Sequence, residues 1–570
     1  MCVSISAGER KDEVQGNIRL LTTDEQVLAL VLTPGATMCP VLPLLLLLAA
    51  LNSESTASLP EDSTGLKFIV VFPENIAYYH PDQPQNKAQI TALHDNTVFT
   101  ITPYNTNSYS KTLSAGETHE VKLDAEQDQS KSIKTLKIVS TKKITVHAIN
   151  QKNNSVQTAL VMPIDKLGTE YFIPPVPKIQ GTTDPLDMVT TDVTERSPFK
   201  LIIVSADKHS EVTVEGAGTN NVSLQPYEIA QIWVKNEEAL RVVKANQPVA
   251  VLFGHTCAIR HNCTCGLLYA MLPPAKEEKL KFYIPPILAK DAEDQTFLLL
   301  SEKDSTIGKA FDPDSPLVES AGTVILYRPG LLLTLIPETD FAACSVINSI
   351  PNVQNFAVIV VHKDLTDGVR VKSRPLASPV WQELKGTEYV STNVLLESGK
   401  NVIWHASSKM AVYFMGKTGN ALFGNPAPII SKTPDFRGCA LSPEIVKIGE
   451  VADGWRESVK YCRDKEMELV SFPNAQLQRH IYDKIIQAKN DTLQEVWIGM
   501  RRSAQTGEWY WLNKDPVNDT NWKEGEPGTV HDGQCAIMSL KSSEDFGWGD
   551  EDCCKAAHPV CYSRLVLLPM

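Results

Sequence analysis

The sequence predicts a multidomain protein: mostly β, built of repeated β-sandwich-like units, followed by an α+β domain. Three observations carry that expectation. Residues 66–435 hold short segments rich in Val, Ile, Thr and Phe ("TVFTITPY", "KITVHAIN", "EVTVEG", "QPVAVLFG", "FAVIVVH"), each bounded by turn formers. Parts of that region recur at roughly 100-residue intervals, the size of one β-sandwich. Beyond Arg437 the texture changes, and six of the nine tryptophans and six of the twelve cysteines lie there.

The first 57 residues read as a leader. Residues 41–51 form an apolar run, too short for the roughly 20 residues that span a bilayer. Ser55, Thr56 and Ala57 follow, as small residues do at a signal-peptide cleavage site. Met38 is the expected start, with residues 1–37 an upstream extension. The rival reading, an uncleaved anchor, would make the chain a membrane-tethered receptor. No later segment reaches 18 unbroken apolar residues, so no transmembrane segment is expected beyond the leader. Without Cys2 and Cys39 ten cysteines remain, an even number suited to an oxidising compartment. Sequons at Asn153, Asn221, Asn262, Asn490 and Asn518 add glycosylation to a secreted, extracellular reading. A net charge of −13 argues against a nucleic-acid partner.

Within the β region, "KLGTEYFIPPVP" (166–177) returns as "KLKFYIPPILA" (279–289) and as "LKGTEYVSTNV" (384–394). Taking Phe68, Tyr171, Phe282 and Tyr389 as equivalent gives spacings of 103, 111 and 107 residues, hence about three units. One large irregular β domain is the alternative. Long stretches of 3.6-residue period are missing, and recurrent proline suits strand edges and loops.

After residue 436 two helices are expected. "DGWRESVKYCRDK" sets Trp455, Val459 and Cys462 at helical spacing, and "NAQLQRHIYDKIIQAK" sets Leu477, Ile481 and Ile485 on one face. Strand-like, Trp-rich loops follow. The ordered landmarks "W-x6-C", "ELVSF", "WIGM", "W-x-W", "NW", "GEPG", "GQC" and "WGDEDC…CY" over residues 436–563 resemble a C-type lectin domain. The resemblance implies two helices flanking a small antiparallel sheet with a long loop region. It also implies the bridges Cys462–Cys561 and Cys535–Cys553; Cys439 and Cys554 are left over, a bond between them being one option that the sequence leaves open. Most of the tryptophans, Trp497 included, read as core.

In sugar-binding members of that family, calcium is held by an acidic-Pro-amide triplet, a loop carboxylate and an Asn-Asp pair, and its shell is completed by sugar hydroxyls. In this chain the triplet is Glu526-Pro527-Gly528 and the pair is Gly549-Asp550; Gly533 stands where the loop carboxylate belongs, with Asp532 one place earlier. Glu526, Asp532 and Asp550 are therefore the calcium candidates. With glycine at both amide positions, affinity no better than roughly millimolar is expected.

The β region, through "KFIVVFPEN", "LVMPIDKLGTEYFIPPVP", "FKLIIVSADKHSEVTVEG" and "PVAVLFGHTCAIRHNCTCG…LLYAMLPP", is similar to the N-terminal region of the IgG Fc-binding protein family over roughly residues 66–430. That resemblance implies a secreted, mucus-associated adhesive or scaffolding protein, and no matched residue identifies an Fc contact. "GHTCAIRHNCTCG" offers His255, Cys257, His261, Cys263 and Cys265 as zinc ligands, but a disulfide staple is expected instead: Cys257 with Cys263, and Cys265 with Cys344. No hydrolase, metalloprotease, P-loop or kinase motif is present, so no enzyme is expected. The expected function is a secreted recognition protein whose lectin-like domain binds a glycan or an extracellular protein. The alternative is a non-catalytic structural component of mucus or extracellular matrix.

Overall fold

The computed structural model describes residues 62–570 except 77–82, 104–106, 124–133, 154, 178–179, 184–189, 193–198, 217, 235–239, 260–264, 290–294, 304, 329, 419–420, 489–492, 530, 532 and 542–545. The leader therefore lies outside the described residues. Residues 62–570 form one compact unit.

The β region repeats one topology four times. The first unit runs β1 (Gly65–Phe72), β2 (Gln85–Ala92), β3 (Thr97–Pro103), β4 (Tyr109–Leu113), β5 (Thr118–Leu123), β6 (Lys134–Lys152) and β7 (Ser155–Val161). β6 is long enough to serve two roles. Its first half pairs with β1 and β3, and its second half pairs with β2 and β7.

The second unit separates those roles into two four-stranded sheets. It comprises β8 (Glu170–Phe172), β9 (Phe199–Ser205), β10 (Ser210–Glu215), β11 (Thr219–Leu224), β12 (Ile229–Val234), β13 (Val242–Ala245), β14 (Val249–Ile259) and β15 (Cys265–Met271). One sheet has the order β11-β10-β13-β8 and the other β12-β9-β14-β15.

The third unit is abbreviated: β16 (Leu280–Tyr283), β17 (Phe297–Ser301), β18 (Thr306–Ala310), β19 (Leu317–Ser320), β20 (Thr323–Arg328) and β21 (Leu331–Thr334). Its sheets are β16-β19 and β18-β17-β20-β21. The fourth unit restores the full pattern with β22 (Cys344–Asn348), β23 (Gln354–His362), β24 (Val369–Val371), β25 (Arg374–Pro375), β26 (Tyr389–Leu395), β27 (Lys400–His405), β28 (Ala411–Thr418) and β29 (Ala421–Pro426), and adds β30 (Ile429–Ser431) beside β22.

Four units rather than three is a correction, and its cause is local. Phe68, Tyr171 and Phe282 do occupy equivalent first strands, but Tyr389 lies on β26, the counterpart of β12. The true fourth first strand is β22, which pairs with β27 as β8 pairs with β13. A count based on constant spacing fails because the third unit connects β17 to β18 through residues 302–305 alone. The second unit spends residues 206–228 at that point, including the hairpin β10–β11.

The last strands of the four units meet one another: β7 lies against β15, β15 against β21, β21 against β29, and β29 against β7. The units thereby close a ring. That closure explains why segments such as "FKLIIVS" and "FAVIVVH" are nearly continuous apolar runs instead of alternating ones. Both faces of those strands are buried, one on the unit's own core and one on its neighbour. Leu299, Ile325, Tyr327 and Leu332 of the third unit share a core with Tyr171 and Phe253 of the second. Ile149 and Val156 of the first share a core with Ile359 and Phe414 of the fourth. At that first–fourth junction His147 Nε2–H donates to Asn425 Oδ1 (2.9 Å), which also accepts from Thr158 Oγ1 (2.6 Å).

The C-terminal domain contains β31 (Ala440–Ser442), β32 (Ile445–Ile448), α1 (Trp455–Asp464), β33 (Glu468–Leu469), α2 (Ala475–Ala488), β34 (Glu495–Arg502), β35 (Trp509–Trp511), β36 (Cys535–Ser539), β37 (Trp548–Glu551), β38 (His558–Ser563) and β39 (Val566–Leu567). Its central sheet has the order β32-β38-β34-β36-β37. The domain is stitched to the fourth unit. Lys400 Nζ donates to the Pro569 carbonyl (2.8 Å), and Leu568 packs into the fourth unit's cluster of Val346, Val402 and Trp404, held there by the pairing of β31 with β39 inside the domain.

The disulfides both match and differ from the sequence reading. Cys462–Cys561 and Cys535–Cys553 are formed, with Cα separations of 5.3 Å and 5.2 Å. Cys344, however, is bonded to Cys439 (Cα separation 5.5 Å), not to Cys265, and Cys554 is free and exposed. The reason is topological. β30 returns alongside β22 at Cys344, so the chain leaving Ser431 delivers Cys439 to the same buried cluster, with Val402, Trp404 and Leu568. Cys257 is disulfide-bonded, and Cys263 lies outside the described residues.

Candidate functional site

Aromatic packing positions the loop. Trp497, Trp511 and Trp548 are fully buried, and Phe472 packs against the last two with ring centroids 5.7 Å away. Trp497 Nε1–H donates to the Asp453 carbonyl (2.9 Å), which accounts for it as a core residue. Trp522 pairs with Trp548 through the backbone, its ring 5.7 Å from Trp548 and 4.8 Å from Trp509. The "NW" and "WGD" segments are thus joined, which sets residues 523–529 beside Asp550. The Trp548 amide donates to the Asn521 carbonyl (2.7 Å), and the Lys523 amide to the Trp548 carbonyl (2.9 Å).

Inside the loop the Glu526–Pro527 peptide is cis. The Gly528 amide donates to Asp550 Oδ1 (2.8 Å), and the Asp550 amide to Glu526 Oε2 (3.4 Å). Arg502, at the end of β34, clamps the far side. Its guanidinium donates to the carbonyls of Gly507 (3.2 Å), Gly528 (3.1 Å) and Thr529 (2.8 Å), and lies 5.3 Å from the Trp509 ring centre.

Glu526 and Asp550 are therefore brought together. Hydrogen bonding between the two carboxyls, followed by burial, lifts the Glu526 pKa above its ordinary value. Asp550 Oδ2 is buried with no donor other than the Glu526 carboxyl when that is protonated. Such a pair attracts positive charge, either a proton or a cation. The remaining donors do not make a calcium shell. Gly528 and Gly549 carry no side-chain oxygen, and Asp550 Oδ1 is already engaged by an amide. Gly533 packs so tightly on the backbone that a Cβ there would sit 2.4 Å from the Glu551 nitrogen, which leaves no room for a carboxylate. Asp532 lies outside the described residues. Among the described residues no three His, Cys, Asp or Glu side chains converge as metal ligands. Set against the six to eight oxygens that calcium takes, the two carboxylates found among the described residues do not by themselves make the shell of a sugar-bridging ion.

Residues 451–563 match the Lectin C-type domain family, and residues 54–220 and 202–328 match the IgGFc binding protein family. The C-terminal unit is a C-type lectin domain. The region before it carries IgGFc-binding protein domains. The family match ends at residue 328, so the fourth unit shares the topology without being covered by it. Human IgGFc-binding protein is 26% identical over 296 residues, 44% of this chain and 5% of that protein. The chain thus spans a small part of that relative. The lectin lectoxin-Phi1 of Philodryas olfersii is 28% identical over 109 residues, 19% of this chain and 69% of that one. The C-type lectin domain of murine dendritic cell inhibitory receptor 2, solved in complex with an N-glycan, is 25% identical, covering 22% of this chain and 94% of that chain at a TM-score of 0.19. These families are generally non-catalytic binding proteins, typically extracellular, and C-type lectin domains commonly bind calcium. Their likeness supports a recognition or binding role. No helix among the described residues is long and apolar enough to cross a membrane.

The other candidate positions are scattered. Asn153, Asn221 and Asn518 are exposed, on a turn, an edge strand and a loop respectively; Asn262 and Asn490 lie outside the described residues. The sequence reading missed the Arg502 clamp. Its one sequence signal is the Arg501-Arg502 pair directly after "WIGM".

Proposed function

We propose that this chain is a secreted, non-catalytic recognition protein in which the four-unit β ring is the scaffold and the C-type lectin domain is the binding tip. The ligand is a glycan or an extracellular protein, bound by loop surface instead of through a bridging calcium ion. The observation that carries this reading is the match of residues 451–563 to the Lectin C-type domain family, in which Glu526 and Asp550 still meet while glycine stands at both amide positions. Typically extracellular relatives and the bonded cysteines support secretion.

Two measurements test it. Calcium titration by calorimetry on the full chain and on a Glu526→Gln, Asp550→Asn double variant is expected to give no saturable heat below about 1 mM in either protein. Saturation that disappears in the double variant would restore a calcium-bridged sugar site. Binding to mucus glycoprotein, compared before and after deletion of residues 436–570, separates recognition from a purely structural role: unchanged binding would favour the scaffold reading. Edman sequencing of protein from culture medium is expected to start near residue 58.

A further inference from the structure

The four units provide an internal comparison. In the first, second and fourth, the strand that pairs with the unit's opening strand is flanked on its other edge: β6 by β3, β13 by β10, β27 by β24. In the third unit the equivalent strand, β19, pairs with β16, and among the described residues no strand lies on its other edge. The other sheet of the unit also carries an exposed apolar residue. Ile307 of β18 stands opposite Leu300 and is 55% exposed, although Leu300 packs on the core of the unit.

The register identifies which groups face the gap. The Ile284 amide donates to the Pro316 carbonyl, so alternate residues Pro316, Val318 and Ser320 face β16, while the backbone groups of Leu317 and Glu319 face outward. Aligning Tyr171 with Phe282 makes Val243 equivalent to Val318 and Lys244 to Glu319. In the second unit the flanking strand β10 places Val214 opposite Val243, and Glu215 forms a 2.7 Å ion pair with Lys244. On the far side of Lys244 stands Glu170 of β8. The third unit inverts these charges: Lys281 stands opposite Glu319. The position answering to Glu215 therefore calls for a basic residue. The present partner of Glu319 is the exposed Lys279 at 3.2 Å, a surface pair of the kind worth little.

We propose that the open edge of β19 is a docking site for an extended basic segment of a partner protein, which adds as an antiparallel strand with an apolar side chain opposite Val318 and a Lys or Arg paired to Glu319. Strand addition draws its affinity from main-chain hydrogen bonds and its specificity from alternate side chains. Both are laid out here by the sister units.

The test uses the full chain and two fluorescein-labelled peptides of alternating Val and Thr, one with Lys and one with Glu at the charged position. Fluorescence anisotropy is expected to show the Lys peptide binding at least tenfold more tightly than the Glu peptide. Glu319→Pro removes an outward amide and the Glu319 carboxylate but no hydrogen bond to β16, so it should abolish binding of both peptides while leaving the thermal melt unchanged. Glu319→Lys should reverse the peptide preference. Equal binding of the two peptides, or binding that survives Glu319→Pro, would overturn the proposal. So would a concentration-dependent dimer that Glu319→Pro dissolves, since a second copy would then be the occupant.

Discussion

Glu526 and Gly549 show how the loss of one side chain alters a binding loop. A Cβ placed on Gly549 would lie 3.5 Å from Glu526 Oε1, an ordinary contact, so the position accepts a side chain. Gly549→Asn is expected to bind calcium more tightly than the parent by calorimetry, because an amide oxygen joins the two carboxylates. Glu526 has its own pH signature. Its folded pKa is raised, so the native state holds more protons than the unfolded one above the ordinary carboxylate range, and this group's contribution to stability falls as pH rises through the folded pKa. Glu526→Gln should remove that dependence and raise the neutral-pH melting temperature, read by calorimetry. The eroded donor set was legible in the sequence, since glycine at 528, 533 and 549 is visible without coordinates. The Arg502 clamp was not, because its targets are main-chain carbonyls, which leave no trace in residue identity.

At the scale of elements, the strands were legible and their membership was not. Apolar content marked the central strands, yet burial on both faces erased the alternation that would have told one edge from another. The lost hairpin of the third unit then shifted the count of repeats. The cysteines failed for a similar reason. Two bridges followed from an ordered set of landmarks, whereas Cys344–Cys439 depends on β30 folding back along β22, a tertiary event. That bridge joins the fourth unit to the segment entering the lectin domain. Replacing both cysteines with serine is expected to cost about 2–5 kcal/mol in urea unfolding. Limited proteolysis should then cut near residues 432–438 before it cuts elsewhere.

Across the whole molecule, the first–fourth junction carries a buried titratable group. Burial pushes the His147 pKa down to about 4, with the hydrogen bond to Asn425 opposing that shift. The unfolded chain takes up a proton near pH 6.5 and the native one only near pH 4, so stability from this site is full above pH 6.5 and declines as pH falls through that window. The loss at pH 4 is about 3 kcal/mol. A urea-midpoint series from pH 7 to 4 should show the decline, and His147→Gln should flatten it. The ring itself also sets a timetable for synthesis. β7 emerges from the ribosome needing β29, some 260 residues downstream. At 5–20 residues per second, its apolar surface waits on the order of 10 to 50 s for that partner. Throughout that interval the half-made scaffold presents a sticky flank, so the nascent chain should be a substantial client of chaperones.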